Sequence, residues 1–353
     1  MRPKTTARDL PPRMLRRTKV LKSGKVWAAY YYNGRSAEGK RVELALGADL
    51  AAAKRKWAEL EGRAAPADTG LMRYIFARYE REILPTKAPR TQTDYSDQLA
   101  LLGKVFGGMG IDSLTPQHIA QYRDRRGAKA PVRANREIAL LSTIFNHARE
   151  WGYTARENPC KGVRKNKEQP RDFYADDAVW AAVYGSASED LRDAMDLAYL
   201  TGQRPGDIIK MRFADLRNGA LEVQQGKTAK RLRILLAHDG VPTQLGLLID
   251  RIRQRAGPVS SLYLVATKEG QPLNRWTLRV RFDAARTLAV QALHERGDTA
   301  LADRVAQFQF RDIRPKAASD LPLAHASRLL GHTEHEITQK VYRRVGETVM
   351  PTR

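Results

Sequence analysis

A group of chemically capable side chains is concentrated near the end of the sequence. Arg311 and Arg314 are three residues apart, so they share a face if this segment is helical. His332 follows Gly331 at the end of a helix-like run, and Tyr342 lies ten residues beyond His332. Arginine offers fixed donors that clamp phosphate oxygens, and it stays charged at any working pH. Two guanidinium groups, an imidazole and a phenol therefore indicate a site that holds a phosphodiester and attacks it.

Each of these residues has a plainer interpretation when it is taken alone. In a chain this basic, an arginine pair commonly forms a solvated face or a nonspecific phosphate contact. A histidine after a glycine commonly ends a helix, and a lone tyrosine commonly packs half-buried. The order and spacing of the whole set favour the chemical interpretation.

Two stretches upstream carry further residues of the same kind. Residues 200–208 read LTGQRPGDI and contain Arg204, and residues 221–228 read LEVQQGKT and contain Lys227. With the C-terminal block, these motifs resemble the active-site motifs of the tyrosine recombinases, the phage integrase family. Residues 200–208 are similar to that family's first arginine box in its lambda-type version. The matching motifs occur in the family's order over residues 200–342.

The resemblance implies phosphoryl transfer without a metal or nucleotide cofactor. Tyr342 would attack one DNA strand, giving a 3′-phosphotyrosyl intermediate and a free 5′-hydroxyl. Arg204 and Arg314 would bind the nonbridging oxygens, and His332 would donate to the same phosphate. Lys227 would protonate the departing 5′-oxygen as general acid. A second 5′-hydroxyl could then reverse the step on a different strand.

One catalytic position departs from the family. Arg311 stands where the family usually has the histidine of a His-x-x-Arg motif, and arginine cannot act as a base. Arg311 could still bind phosphate and lower the pKa of the phenol, with water or another side chain taking the proton. Pro315, directly after Arg314, predicts that a helix begins there.

The elements around these motifs follow from the sequence pattern. Residues 176–183 and 191–200 predict helices, and residues 221–223 and 232–236 predict the strands of a hairpin with Lys227 in its turn. Lys230 or Arg231 could take the place of Lys227 as the basic turn residue. Asp207 could orient Arg204 through a charge-assisted hydrogen bond, or it could cap a helix over 208–212.

The formal charge of +23 and the pI near 10.2 point to a polyanionic partner, most commonly nucleic acid. The first 63 residues hold sixteen Lys and Arg against six Asp and Glu. Cys160 is the single cysteine, which excludes an internal disulfide and fits a reducing compartment. The sequence lacks an apolar run long enough for a membrane span and an h-region at its start, so we expect a cytoplasmic protein of a bacterial cell with no membrane partner.

The pattern predicts a multidomain chain, mainly α with small β-sheets. Residues 1–63 are predicted to form a basic module of a small β-sheet plus a helix, with residues 1–22 as a flexible arm and Asn33–Gly34 as a hairpin turn. This module resembles the arm-type DNA-binding domain of some integrases, although a generic basic β-module is the alternative. Residues 64–165 predict a helical domain, with a linker at 64–70, and residues 166–353 a mixed α/β catalytic domain.

The helical domain carries apolar stripes that predict four short helices. It resembles the core-binding domain of the integrases, which closes over DNA with the catalytic domain after a linker like residues 160–171. Phosphate contacts of this kind position the protein and make binding fall steeply with salt. A solvated charge run is the alternative interpretation. The candidate DNA contacts are Arg123, Arg125, Arg126, Lys129, Arg133 and Arg136, with Lys230 and Arg231 of the hairpin.

The resemblance also implies the partners. We expect double-stranded DNA carrying attachment sites, a homotetramer on two DNA sites, and accessory proteins for DNA bending and excision. The short tail, residues 343–353, would contact a neighbouring protomer. The function expected is integration, and excision, of a phage or mobile element. A type IB topoisomerase that only swivels strands, and a catalytically dead relative that regulates DNA, are the alternatives.

Overall fold

The structure is a computed structural model that describes residues 10–21, 26–35, 40–61, 70–255 and 261–346. The chain divides into two compact units, Met1–Gln169 and Pro170–Arg353. The predicted fold class, mainly helical with small sheets, is confirmed. Within the described ranges, every helix is too short or too polar to cross a membrane.

The first unit begins with a three-stranded antiparallel sheet in the order β1-β2-β3. Its strands are β1 (Met14–Val20), β2 (Val26–Arg35) and β3 (Arg41–Gly47), and helix α1 (Leu50–Glu61) covers one face. The small core between sheet and helix consists of Met14, Tyr30, Tyr32, Leu46, Ala53, Trp57 and Ala58. Tyr30 and Tyr32 of β2 therefore stabilise the module from within, whereas Trp27 is exposed.

Two expectations for this module are wrong. Residues 14–20 were expected in a flexible arm, but they form β1. Most side chains of β1 are exposed, so its sequence lacks the alternation of apolar and polar residues that predicts a strand. Asn33–Gly34 was expected as a hairpin turn, but both residues lie inside β2, paired with Glu43 and Val42. The Tyr32 ring explains the glycine, because a Cβ at Gly34 would lie 2.2 Å from Tyr32 Cε1.

Four helices complete the described part of the first unit, as predicted. They are α2 (Met72–Glu82), α3 (Pro89–Phe106), α4 (Pro116–Gly127) and α5 (Pro131–Glu150). Thr115 caps α4 and Pro116 occupies its first turn, where the missing N–H costs nothing. These helices enclose their own core, centred on Tyr79, Phe106 and Phe145. The separate cores agree with a module followed by a helical domain, but the three-domain division remains a prediction.

The candidate DNA contacts of the helical part fall into three groups. Arg125, Lys129 and Arg133 are exposed, as phosphate contacts must be. Arg126 instead forms a two-pronged ion pair with Glu137, which is 1% exposed. The remaining two are partly engaged: Arg123 with Asp124 and the carbonyl of Arg164, and Arg136 with Glu168.

The second unit has one large core and a smaller cluster of Ala318, Ala326 and Leu330, against which Tyr342 packs. Its N-terminal helices are α6 (Asp177–Gly185), α7 (Glu189–Thr201) and α8 (Pro205–Ile208). The sheet β4 (Leu216–Arg217), β5 (Ala220–Gln224) and β6 (Arg231–Leu235) follows, then the two-stranded pair β7 (Ala237–His238) and β8 (Val241–Pro242). The C-terminal helices are α9 (Gln244–Arg255), α10 (Arg275–Glu295), α11 (Thr299–Gln307), α12 (Ile313–Ser319), α13 (Leu323–Leu330) and α14 (His335–Ile337). A π-helical turn, Thr338–Tyr342, comes last.

A polar cluster fixes α12 against the rest of this unit. Lys316 is 3% exposed and forms ion pairs with Asp177 and Asp320 at 2.8 and 3.1 Å. The hydroxyls of Tyr174 and Tyr199 donate to the Asp320 carboxylate, while their rings lie beside the Lys316 ammonium. Burial, together with Asp320, raises the pKa of Tyr199 to about 12, which keeps both hydroxyl donors in place. Helix α12 is therefore held rigidly two residues after Arg314.

The Arg126–Glu137 pair gives a test of the helical part. Arg126→Ala is expected to lower the free energy of unfolding by about 3 kcal/mol, because it leaves a buried carboxylate with Tyr122 as its hydrogen-bond donor. Arg125→Ala, at an exposed neighbour, should change it by less than about 0.5 kcal/mol. Urea unfolding of both variants measures this, and equal losses would contradict the assignment.

Candidate active site

The first element of the site is the sharp turn between α7 and α8. Helix α7 ends at Gly202, whose φ of +63° favours glycine. A Cβ here would also lie 3.0 Å from Leu330 Cδ1, so α13 can approach closely only because the side chain is absent. Arg204 follows as the N-cap of α8, and its guanidinium Nη1 donates to Gln225 Oε1 at 3.3 Å.

The centre of the site is the guanidinium of Arg314, which is 3% exposed. Its Nη1 donates to the Gly202 carbonyl at 2.5 Å, and its Nη2 donates to the Leu330 carbonyl at 2.9 Å. Burial, and secondarily the charge of Arg204, lowers the pKa of Arg314 to about 10, so the group remains a cation at neutral pH. Within the described residues it forms no ion pair, and its Nε has no hydrogen-bond partner.

His332 lies directly after the glycine that ends α13. Gly331 has a φ of +71°, and the His332 main-chain N–H donates back to the Ser327 carbonyl, which turns the chain out of the helix. His332 Nε2 lies 3.1 Å from Arg314 Nη2, and Nδ1 lies 2.8 Å from Thr338 Oγ1. Because arginine can only donate, Nε2 accepts and the ring proton is on Nδ1.

The electrostatic surroundings keep this imidazole neutral. Burial, then the charges of Arg314 and Arg204, lowers the pKa of His332 to about 4. The expected donor role of His332 towards a phosphate thus requires a change from the arrangement seen here, where Nε2 accepts from Arg314. A bound anion would favour that change, because negative charge raises the pKa of a neighbouring base.

Tyr342 is brought to the same place by the π-helical turn. Its ring centroid lies 4.8 Å from that of His332 and 5.0 Å from Cζ of Arg314. Ser319 of α12 ties down the main chain after Tyr342: its hydroxyl donates to the Pro315 carbonyl at 2.9 Å and accepts from the Arg344 N–H at 2.8 Å. Four of the predicted residues, Arg204, Arg314, His332 and Tyr342, are therefore close enough to act on one group.

Lys227 is exposed in the turn between β5 and β6, as predicted from the sequence. The same turn and strand carry Lys230 and Arg231, which are also exposed. The main-chain N–H of Gly226 donates to Asp207 Oδ1 at 3.0 Å, which anchors the turn to α8. A basic side chain on a short turn, tethered at its base, can swing towards a bound phosphate.

Both expectations for Asp207 are wrong. It lies inside α8 rather than capping a helix over 208–212, because α8 already ends at Ile208. Its Oδ1 accepts from the hairpin main chain instead of from Arg204, and its Oδ2 is buried without a hydrogen-bond partner in the described part of the chain. The carboxylate does act on the site through space, raising the pKa of Arg314 against the effect of burial.

Arg311 and Arg314 do not lie in one helix, so the condition for a shared helical face is not met. It lies in a 3-10 turn, Phe310–Asp312, and is exposed, whereas Arg314 lies in the first turn of α12 and is buried. Helix α12 begins at Ile313, two residues before Pro315, so the proline occupies the first turn, where it needs no N–H partner. Arg311 is thus free to reach solvent or a phosphate at the rim of the site.

Sequence reasoning missed the polar residues that hold the site together. Thr338 is fully buried and fixes the His332 ring, and Ser319 fixes the Tyr342 segment. Gln203 and Gln225, each 1% exposed, join their side-chain amides at 2.7 Å between α8 and the hairpin. The one signal available was the occurrence of both glutamines inside the motifs that carry Arg204 and Lys227.

The arrangement is suited to binding an anion beside a phenol. Arg314 forms no ion pair within the described residues and lies beside the Tyr342 ring. The charge of Arg204 and the neutral imidazole of His332 complete the group. The described residues include no group of three or more His, Cys, Asp or Glu side chains placed to hold a metal ion.

Comparisons with known proteins agree with this geometry. The sequence model described as the phage integrase family matches residues 175–348, and that of the phage integrase N-terminal domain matches residues 86–167. The integrase of Escherichia phage HK022 is 26% identical over 250 residues, covering 69% of this chain and 67% of its own length. The integrase of Escherichia phage lambda is 26% identical over 266 residues, covering 72% and 71%.

The fold has a match over the whole chain. A crystal structure of a lambda integrase tetramer bound to a Holliday junction superimposes with a TM-score of 0.64 at 21% identity, covering 98% of this chain and 99% of that one. At this identity the match establishes the fold.

The environment of His332 predicts a measurable pH dependence of stability. Its pKa falls from 6.5 to about 4 on folding, so the unfolded chain takes up a proton in a range where the folded chain does not. Stability should therefore decrease as the pH falls from 6.5 towards 4. The midpoint temperature of thermal unfolding, measured across this pH range, should fall less for His332→Gln than for the wild type. If the midpoint depends on pH identically in both proteins, the imidazole titrates normally.

Proposed function

This chain belongs to the phage integrase family and is a site-specific tyrosine recombinase, and from that premise we propose that Tyr342 is its nucleophile. The proposed reaction breaks one strand at a phosphodiester, esterifies the 3′-phosphate to the Tyr342 oxygen and releases a 5′-hydroxyl. Attack by the 5′-hydroxyl of another strand then reverses the step and exchanges the strands. The observation that carries this proposal is the buried, unpaired guanidinium of Arg314 beside the Tyr342 ring.

Arg204 and Arg314 are proposed to bind the nonbridging oxygens of the phosphate. Arg314 already lies in a water-poor site with its Nε unused, and a charge held there interacts more strongly than one in water. Donors fixed before the substrate arrives need no reorganisation as the negative charge of the transition state grows. His332 is proposed to donate to the same phosphate once the bound anion has raised its pKa.

Lys227 is proposed as the general acid that protonates the departing 5′-oxygen. Its exposure on the tethered turn allows it to enter the site together with DNA. Lys230 and Arg231 would then contact the flanking backbone. Arg311 is proposed to bind phosphate at the rim and favour the Tyr342 phenolate by its charge, while water takes the proton.

The remaining parts of the chain are proposed to hold the DNA. Residues 1–63 form an arm-type DNA-binding module, residues 64–165 a core-binding domain, and residues 166–353 the catalytic domain. The exposed Arg125, Lys129 and Arg133 support the second assignment. The match to a structure described as a tetramer on a Holliday junction supports a homotetramer on two attachment sites, with accessory proteins for DNA bending and excision. The tail contact proposed for residues 343–353 lies largely outside the described residues. The reaction would take place on bacterial DNA in the cytoplasm.

The nucleophile can be tested on a nicked suicide duplex that carries the DNA junction flanking the gene. The wild type should form a covalent adduct that survives denaturant, and Tyr342→Phe, which lacks only the attacking oxygen, should form none. Arg125→Ala should keep the adduct but weaken binding, with a shallower dependence of affinity on salt.

Two outcomes of the same assay would change the proposal. Tight binding by a wild type that never forms the adduct would indicate a catalytically dead DNA-binding relative. An adduct that relaxes supercoils but never joins two attachment sites would indicate a topoisomerase.

A further inference from the structure

The side-chain amide of Gln225 lies where three parts of the active site meet. Gln225 directly follows β5 and is 1% exposed. Its Nε2 donates to Gln203 Oε1 at 2.7 Å and to the Leu330 carbonyl at 2.9 Å. Its Oε1 accepts from Arg204 Nη1 at 3.3 Å and from Thr228 Oγ1 at 2.7 Å. Both donors and both acceptor positions of the amide are therefore used, which fixes its neighbours in one arrangement.

The main chain of Gln225 closes the turn that carries Lys227. Its N–H donates to the Lys230 carbonyl, and its carbonyl accepts from the Ala229 N–H, both at 2.9 Å. The hydroxyl of Thr228, one residue after Lys227, ties the turn to the amide from the inside. The position of the turn thus depends on the buried Gln225 amide as well as on the hydrogen bond from the Gly226 N–H to Asp207.

The same amide is tied to the segment that presents His332. The Leu330 carbonyl accepts from Gln225 Nε2 and from Arg314 Nη2 together. A Cβ on Gly331 would lie 2.9 Å from Gln225 Nε2, so the two segments pack with no space between them. A shift of the amide would therefore be transmitted to both arginines.

We propose that Gln225 is a positioning residue that sets where Arg204 and the Lys227 turn stand relative to the scissile phosphate. This inference rests on the proposed function. Gln225 is too deeply buried to touch DNA, and it acts through its hydrogen bonds alone. Without the amide, Arg204 loses the side-chain acceptor that it uses in the described structure, and the turn loses its internal tie. Displacements of about 1 Å at reacting groups can slow a reaction about 100-fold.

A substrate with sulfur in place of the bridging 5′-oxygen separates the two effects. A thiol has a pKa of about 8.5, far below that of an alcohol, so a 5′-thiolate departs without a general acid. A defect that comes only from a misplaced Lys227 should vanish on this substrate. A defect that comes from a misplaced Arg204 should remain, because both substrates need their nonbridging oxygens bound.

The main variant is Gln225→Met, which keeps the volume and removes all four hydrogen bonds. We expect the adduct on the nicked junction duplex to form about 10- to 100-fold more slowly, with affinity for the duplex, measured in a Tyr342→Phe background, unchanged within about 2-fold. The sulfur substrate should recover part of the lost rate. Gln224→Met, at the exposed neighbour on β5, is the matched control and should react at the wild-type rate.

A second pair of variants tests the turn alone and is independent of any folding defect of Gln225→Met. Thr228→Val removes the hydroxyl at an exposed position, and Thr228→Ser retains it. Thr228→Val should slow the adduct by about 3- to 10-fold on the oxygen substrate and react like the wild type on the sulfur substrate. Thr228→Ser should match the wild type on both.

Wild-type rates for both Gln225→Met and Thr228→Val would overturn the positioning role. The role would also be overturned if Gln225→Met slowed adduct formation equally on the oxygen and sulfur substrates, because the Lys227 turn would then be unaffected. If the wild type forms no adduct, the proposed function fails together with this inference. If the wild type forms the adduct and Tyr342→Phe does not, the Gln225 and Thr228 variants test only the positioning role.

Discussion

The buried charge of Arg314 is the constraint on which the rest of this site depends. A guanidinium that is 3% exposed and has no carboxylate partner in the described structure is costly to place in a protein interior. Two main-chain carbonyls and an imidazole nitrogen satisfy part of its hydrogen bonding, but none of them neutralises it. The lowered pKa of Arg314 has the same cause, the burial of its charge. Asp207 opposes this effect only through space, so within the described residues Arg314 has no directly bound anion.

The groups that hold Arg314 explain why distant parts of the sequence must meet. Gly202 ends α7, and Leu330 and His332 flank the end of α13, so one guanidinium joins two helix termini. Both termini use a glycine in the left-handed conformation, which turns the chain and points carbonyls inward. The Lys316 cluster then fixes α12 from its other side. Position, rather than a special residue type, makes this arginine different from the many others in the chain.

Much of this arrangement could be predicted from the sequence because it is local. Helix periodicity, the hairpin around Lys227 and the order of the motifs are all short-range patterns. Two errors came from side-chain packing and hydrogen bonding that short-range patterns do not reveal. The Tyr32 ring packs over Gly34 inside β2, and the main chain of the Lys227 hairpin donates to Asp207. The burial of Gln225 and Thr338 could not be predicted from the sequence either, because the identity of a polar side chain does not reveal its hydrogen-bond partners.

The proposed phosphate site would also couple binding to protonation. A phosphate that settles between Arg204 and Arg314 must favour the protonated form of His332, and by reciprocity protonation of His332 must strengthen phosphate binding by the same free energy. In the proposed reaction, the imidazole accepts from Arg314 in the free protein and donates to the phosphate once DNA is bound. Because the same anion relieves the cost of burying Arg314, DNA binding should stabilise the fold of the second unit as well. In this proposal, the free energy that the buried charge of Arg314 costs the free protein is recovered when DNA binds.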